Sequence, residues 1–252
     1  MNWALLFAAG IAGGLTGSIA GLASVATYPA LLIIGLPPVA ANVTNTVALV
    51  FNGIGSVWGS RPELAGQGAS IRRILPVAAL GGAAGAVLLL STPAKGFEKI
   101  VPILLGLAAL AIVLPRGNSG QQARAASHQR HTTTVLLESA AIFLICIYGG
   151  YFGAAAGIVL LALLLGAGGA TYAQANAAKN VILGIANLVA AVLFAMLAPV
   201  NWPAAIAVGL GCLLGSRLGP VVVRHAPAGP LRIVIGVAGL ALAVKLGVQA
   251  YR

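Results

Sequence analysis

Two sets of polar side chains interrupt an otherwise apolar chain, and their types suit the binding of an anion. Asn42, Asn45 and Asn52 fall three and seven residues apart, and Asn176, Lys179, Asn180 and Asn187 repeat the pattern further on. At helical spacing each set lies along one face. The sets correspond, with Asn42 matching Asn176, Asn45 matching Lys179 and Thr46 matching Asn180. Lys179 is the sharpest member. An ammonium within a membrane costs about 2.5–3.5 kcal/mol on insertion scales and tends to mark a working position. No acid stands near it in sequence, so an anionic ligand would supply the missing countercharge. The competing uses are snorkelling of the lysine to the interface, and hydrogen bonds between helices, worth about 0.6 kcal/mol each.

The chain around these residues is built for lipid. It is 60% hydrophobic and 7% charged, against about a quarter charged for a soluble domain. Mean hydropathy is +1.03. Asp is absent, and the acids are Glu63, Glu98 and Glu138. Glu138 reads as a helix-start residue beside His131 and three threonines, and the three histidines fall in links. The net charge of +11 resides mostly in links between apolar runs, where it sets topology; it does not form a nucleic-acid surface. Cys146 and Cys212 lie inside apolar runs, without the clustering that a disulfide framework or a metal site requires. Neither a cofactor nor a metal is implied, because no nucleotide loop or ligand cluster is written in the chain. The first apolar run has no basic residues ahead of it and reads as a span, not a cleaved signal.

The elements that must position the polar stripes come in two similar halves. Ile11 to Gly21, IAGGLTGSIAG, aligns with Ile147 to Gly157, IYGGYFGAAAG, glycine for glycine. Apolar runs occupy roughly 2–36, 41–60, 71–92, 97–115, 134–169, 172–198, 201–222 and 230–250. The expected division is a first repeat over 1–115, a basic connecting loop over 116–133 and a second repeat over 134–252. A span needs about 20 residues, so 2–36 and 134–169 are overlong. Each is expected to break at its glycines into one span and a short re-entrant helix, with Gly17, Gly21, Gly153 and Gly157 at the break. Pro29 suits the start of the first short helix, with Tyr28 beside it and Thr27 as cap. A single long tilted helix packed through its glycines is the alternative. Glycine-broken segments repeated in two halves are the mark of secondary transporters.

The fold class expected is therefore an all-α polytopic membrane protein, with eight main spans and two short broken segments. The inverted arrangement, five elements in each half, places Arg61, Arg72, Arg73, Arg116, Arg124, Arg130, Arg217, Arg224 and Arg232 on one side, and both termini outside. Eight plain spans would divide those arginines between the two sides.

Gly14 to Leu49, GLTGSIAGLASVATYPALLIIGLPPVAANVTNTVAL, resembles the first-repeat signature of the TauE/SafE sulfite exporter family. Gly149 to Asn187 resembles the second, including a lysine shortly into the polar helix, here Lys179. Where that family often carries further glycines after Gly21 and Gly157, this chain has Leu22-Ala23-Ser24 and Ile158-Val159-Leu160. The resemblance implies transport of sulfite, organosulfonates or another small anion, with export favoured, in the inner (plasma) membrane.

Taken together, the expected substrate site comprises Lys179, Asn45, Asn180, Asn42, Asn176, Thr46 and Tyr28. A half-helix start directed at the centre would add backbone N–H groups and positive dipole. The alternatives are an anion channel or an uptake permease for another small anion. An intramembrane enzyme would need converging acids, bases or metal ligands that the chain lacks. A cation pathway would need carboxylates.

Overall fold

The computed structural model describes residues 2–113, 132–167 and 170–225, with 244 and 248 as isolated positions. The expected last span, 230–250, and most of the connecting loop, 116–133, lie outside the described residues. Ten helices and no strand occur among the described residues: α1 (Trp3–Ala20), α2 (Ala23–Ile33), α3 (Pro38–Gly59), α4 (Arg61–Leu64), α5 (Gly68–Ser91), α6 (Ala94–Val113), α7 (Thr132–Tyr151), α8 (Ala156–Gly166), α9 (Tyr172–Leu197) and α10 (Trp202–His225). Four of them, α1, α5, α9 and α10, are long and apolar enough to cross a membrane. The chain is an all-helical, multi-pass membrane protein. Large apolar side chains such as Leu80, Leu144, Met196 and Leu218 are more than half exposed, as outward faces in lipid should be.

Both overlong runs are broken. Gly21 ends α1 in the left-handed conformation, φ 74°, with its N–H on the Gly17 carbonyl at 2.7 Å; only glycine takes that stop without strain. In the second half the break covers Phe152 to Ala155, with Gly153 at φ 72° and Ala155 at φ 59°. The Tyr148 hydroxyl donates to the Ala154 carbonyl and secures the turn. The short helices α2 and α8 have 11 residues each, about half the length that spans the hydrocarbon core.

The register of the two breaks differs, which sorts the four hinge glycines. Gly21 and Gly153 are turn residues, whereas Gly17 lies within α1 and Gly157 within α8. Pro29 requires a correction. It does not start the short helix, which begins at Ala23, but sits inside it. Gly21 has already supplied the break, so proline's fitness for a first turn is unused. Thr27 is likewise interior to α2: its hydroxyl bonds the Ala23 carbonyl and Asn45, and it caps nothing.

Small residues set the packing, and they do so twice. The third long helix of each half, α5 in the first and α10 in the second, lies along backbone-to-backbone contacts against the first helix of the other half, α7 and α1 respectively. A methyl group built on Gly85 of α5 would strike the Ile147 carbonyl of α7, and one on Gly215 of α10 would strike the Ile11 carbonyl of α1. Ile11 and Ile147 occupy the same position in the glycine repeat. Each half therefore seats its first helix on a helix of the other half. Helices α3 and α9 complete the centre and approach closely at Gly53 and Gly184.

Candidate functional site

Helices α3 and α9 carry the polar stripes, and their first turns fix how these stripes enter the bundle. Pro38 opens α3 at a position where the missing N–H costs nothing. Thr171 and Gln174 close a reciprocal capping box at the start of α9. One to two turns further on, Asn176, Lys179 and Asn180 are buried, as are Asn42, Asn45 and Thr46 on α3. No stripe residue named so far turns to lipid.

The broken ends of α1 and α7 receive these side chains. Asn42 donates to the Tyr151 carbonyl at the end of α7, at 2.8 Å. Asn176 donates to the Ser18 carbonyl near the end of α1, at 2.9 Å. The first-half stripe thus ties down the second-half broken helix, and the second-half stripe ties down the first. A helix end leaves its last carbonyls without intrahelical partners, and here the side-chain amides from the opposite half supply them.

Lys179 is 1% exposed. Its Nζ donates to the Gly17 carbonyl at 3.2 Å and to the Ser18 carbonyl at 3.3 Å. Both belong to the C-terminal turn of α1, where the helix dipole places about half a negative charge. That end offsets part of the ammonium's burial cost and leaves part of its charge uncompensated. The ammonium does not snorkel: it is held inside the bundle. Asn180 joins the same cluster, 3.4 Å from the Ser18 carbonyl and 3.5 Å from the Ser60 hydroxyl.

Lys179 and Asn180 line a cavity of about 40 Å³ at the crossing of the two halves. At one water-sized sphere per 10–15 Å³ this holds roughly three water-sized groups, the scale of a small oxyanion. Three of the four hinge glycines, Gly17, Gly21 and Gly153, line it as well. So do Asn52 and Asn187, the stripe members farthest along their helices. Ala23 and Ser24, the first two residues of α2, contribute the start of a half-length helix. A helix start presents free N–H groups and partial positive charge.

The remaining site candidates are elsewhere in this conformation. Asn45 bonds Ser24 and Thr27, so it fastens α2 to α3. Thr46 returns its hydroxyl to the Asn42 carbonyl. Asn42 and Asn176 are the helix-end donors already described. Tyr28 is buried in an aromatic group, its ring 5.4 Å from that of Phe152 and perpendicular to it. Gly157 is at the joint itself, since a methyl on either Gly21 or Gly157 would meet the Cα of the other. Ser24, Leu49, Leu183 and Gly184 also line the cavity. Helical spacing offered a signal for the last two: Leu183 and Gly184 stand four residues beyond Lys179 and Asn180.

A polytopic helical bundle with two glycine-broken helices meeting at a buried lysine and carboxamides has the build of a membrane transport protein. The family model described as sulfite exporter TauE/SafE matches residues 6–246. The chain belongs to that family. For this chain no match was found among the curated proteins or the solved structures.

Proposed function

We propose that this chain is a secondary transporter that moves a small anion, sulfite or an organosulfur acid, across the inner (plasma) membrane by alternating access, in the direction of export. The observation that carries this reading is the cavity at the crossing of the halves. There a buried lysine, a carboxamide and the start of half-helix α2 converge, with no acid among the cavity's lining residues. Such a site suits an anion, and it is set at hinge glycines from both halves, where a rocking motion would open it to either side.

The inverted five-plus-five arrangement, with repeats over 1–115 and 134–252 joined by 116–133, fits the same reading. Two matched pairs of contacts favour it. They are the reciprocal amide bonds from Asn42 and Asn176 to the opposite broken helix, and the equivalent seating of Gly85 on Ile147 and Gly215 on Ile11. Eight spans with two re-entrant helices would leave both termini outside.

Reconstitution of the purified protein in liposomes tests the reading. Sulfite efflux should saturate with concentration and should fall in competition with a small organosulfonate. Conductance that rises without saturation would make the protein a channel, and the absence of sulfite-dependent flux would overturn the substrate assignment.

A further inference from the structure

The substrate reading leaves open which ionic form of the anion the site accepts, and the cavity's own inventory bears on this. Among the residues lining it, Lys179 is the one ionisable side chain; the others are Asn, Ser, Gly, Ala and Leu. Its single positive charge is already drawn on by the Gly17 and Ser18 carbonyls. The start of α2 returns a partial positive charge of similar size. The site therefore offers about one unit of positive charge to its occupant. A dianion would bring a second negative charge into a buried space with nothing to balance it, which is strongly unfavourable in a low-dielectric interior.

A second observation is independent of charge. The Oδ1 atom of Asn52 is buried and accepts no hydrogen bond, although buried acceptors are nearly always satisfied. It lies close to the donor group, since a methyl built on Gly17 would come 3.0 Å from this oxygen, and Gly17 is the residue whose carbonyl Lys179 holds. One small ligand can reach both. It would meet Lys179 with an anionic oxygen and Asn52 with a hydroxyl proton.

We propose that the site takes its ligand as a singly charged oxyanion carrying one hydroxyl, so that sulfite enters as hydrogen sulfite, its O–H donated to Asn52 Oδ1 and its charge to Lys179. The inference rests on the transport reading above. It makes a permanent dianion such as sulfate a poor ligand even though its size and shape are close.

The test uses the full-length protein in liposomes and three probes. Sulfite passes between its monoanion and dianion near neutral pH. Methanesulfinate is a monoanion throughout, with a methyl in place of the hydroxyl, and sulfate is a dianion throughout. Comparing sulfite with methanesulfinate at each pH removes any titration of Lys179, which both anions face alike. The expected result is that sulfite affinity, relative to methanesulfinate, follows the hydrogen sulfite fraction and falls about tenfold per pH unit once the dianion prevails. Sulfate should fail to compete. Asn52→Leu should weaken sulfite binding at acid pH several-fold relative to methanesulfinate, which has no hydroxyl to donate to that oxygen. A ratio that is flat or rises with pH, or sulfate competing as well as methanesulfinate, would overturn the charge rule while leaving transport intact. Loss of both monoanions equally in Asn52→Leu would overturn the hydroxyl contact. Absence of binding by any of the three would instead remove the transport reading itself.

Discussion

Replacing Lys179 with Met separates anion binding from helix capping, because the structure gives the two roles different consequences. The thioether keeps most of the stem's volume and removes the charge. The Gly17 carbonyl still accepts from the Gly21 N–H at 2.7 Å, and the Ser18 carbonyl still accepts from Asn176 at 2.9 Å and Asn180 at 3.4 Å, so neither acceptor is orphaned. The variant loses two long charge-assisted hydrogen bonds, about 1.5 kcal/mol each at the weak end of their range. It also escapes a burial cost of about 2.5–3.5 kcal/mol. These effects nearly cancel, so stability should change by no more than about 1 kcal/mol. Anion affinity should behave otherwise. Loss of the one ionic contact should weaken binding by about 1–3 kcal/mol, or roughly 5- to 150-fold. Lys179→Arg should bind the anion yet turn over slowly, because a rigid planar fork replaces a compact ammonium in a small space. The assay is titration of detergent-purified protein with sulfite, followed by thermal stabilisation, alongside a melt without ligand. Unchanged affinity with a large loss of stability would refute the argument and reduce Lys179 to a cap on α1.

Three further outcomes follow from the same geometry. Gly21→Ala and Gly157→Ala should each abolish flux while the protein still inserts, because the added methyl meets the facing backbone and Gly21 also needs φ 74°; overpacking of this kind costs about 1–3 kcal/mol, and normal flux by both, measured against the amount of protein in the membrane, would place the joint elsewhere. Asn42→Leu should destabilise the protein by about 1–3 kcal/mol by removing the donor that serves the Tyr151 carbonyl, whereas Asn176→Leu should cost less, since Lys179 and Asn180 still serve the Ser18 carbonyl; equal melting shifts would contradict this. A C-terminal reporter should be active outside the cytoplasm, as the inverted repeat requires, and activity only in the cytoplasm would restore eight plain spans.

The breaks themselves were legible because length and glycine act together. Thirty-five apolar residues exceed one span, and the left-handed stop that ends α1 falls on a glycine that the sequence marks. Their exact register was not legible. The repeat aligns Gly21 with Gly157, but Ala155 takes a left-handed turn in the second half, a conformation costing an alanine about 1–2 kcal/mol that local preference would never select. Packing around Phe152 and the Tyr148 hydroxyl decides it. Pro29 misled for a related reason: its suitability for a first turn is a local signal, and the break upstream outranks it. The stripes on α3 and α9 were readable as buried faces, because helical spacing and polarity are properties of the chain. Which stripe residue meets the cavity and which holds a helix end depends on distant carbonyls, and no spacing rule reports those. Asn52 and Asn187 thus line the cavity, while Asn42 and Asn176 serve as fasteners.

The exchange of first helices between halves also bears on how the molecule is made. During synthesis α1 leaves the ribosome first, yet α10, the helix it is seated on through Gly10, Gly14, Gly211 and Gly215, arrives near the end of the described chain. Helix α5, by contrast, waits only for α7. The face of α1 that carries Gly10 and Gly14 must therefore wait in the membrane for its partner through most of translation. Glycine-lined faces tolerate that delay: a smooth groove binds acyl chains weakly and releases them when its partner comes. Assembly becomes a closure in which α10, made in the second half of the chain, locks the first helix, and truncation anywhere before α10 leaves α1 without its seat. A chain cut between the halves should regain its structure only when both pieces are made in the same membrane.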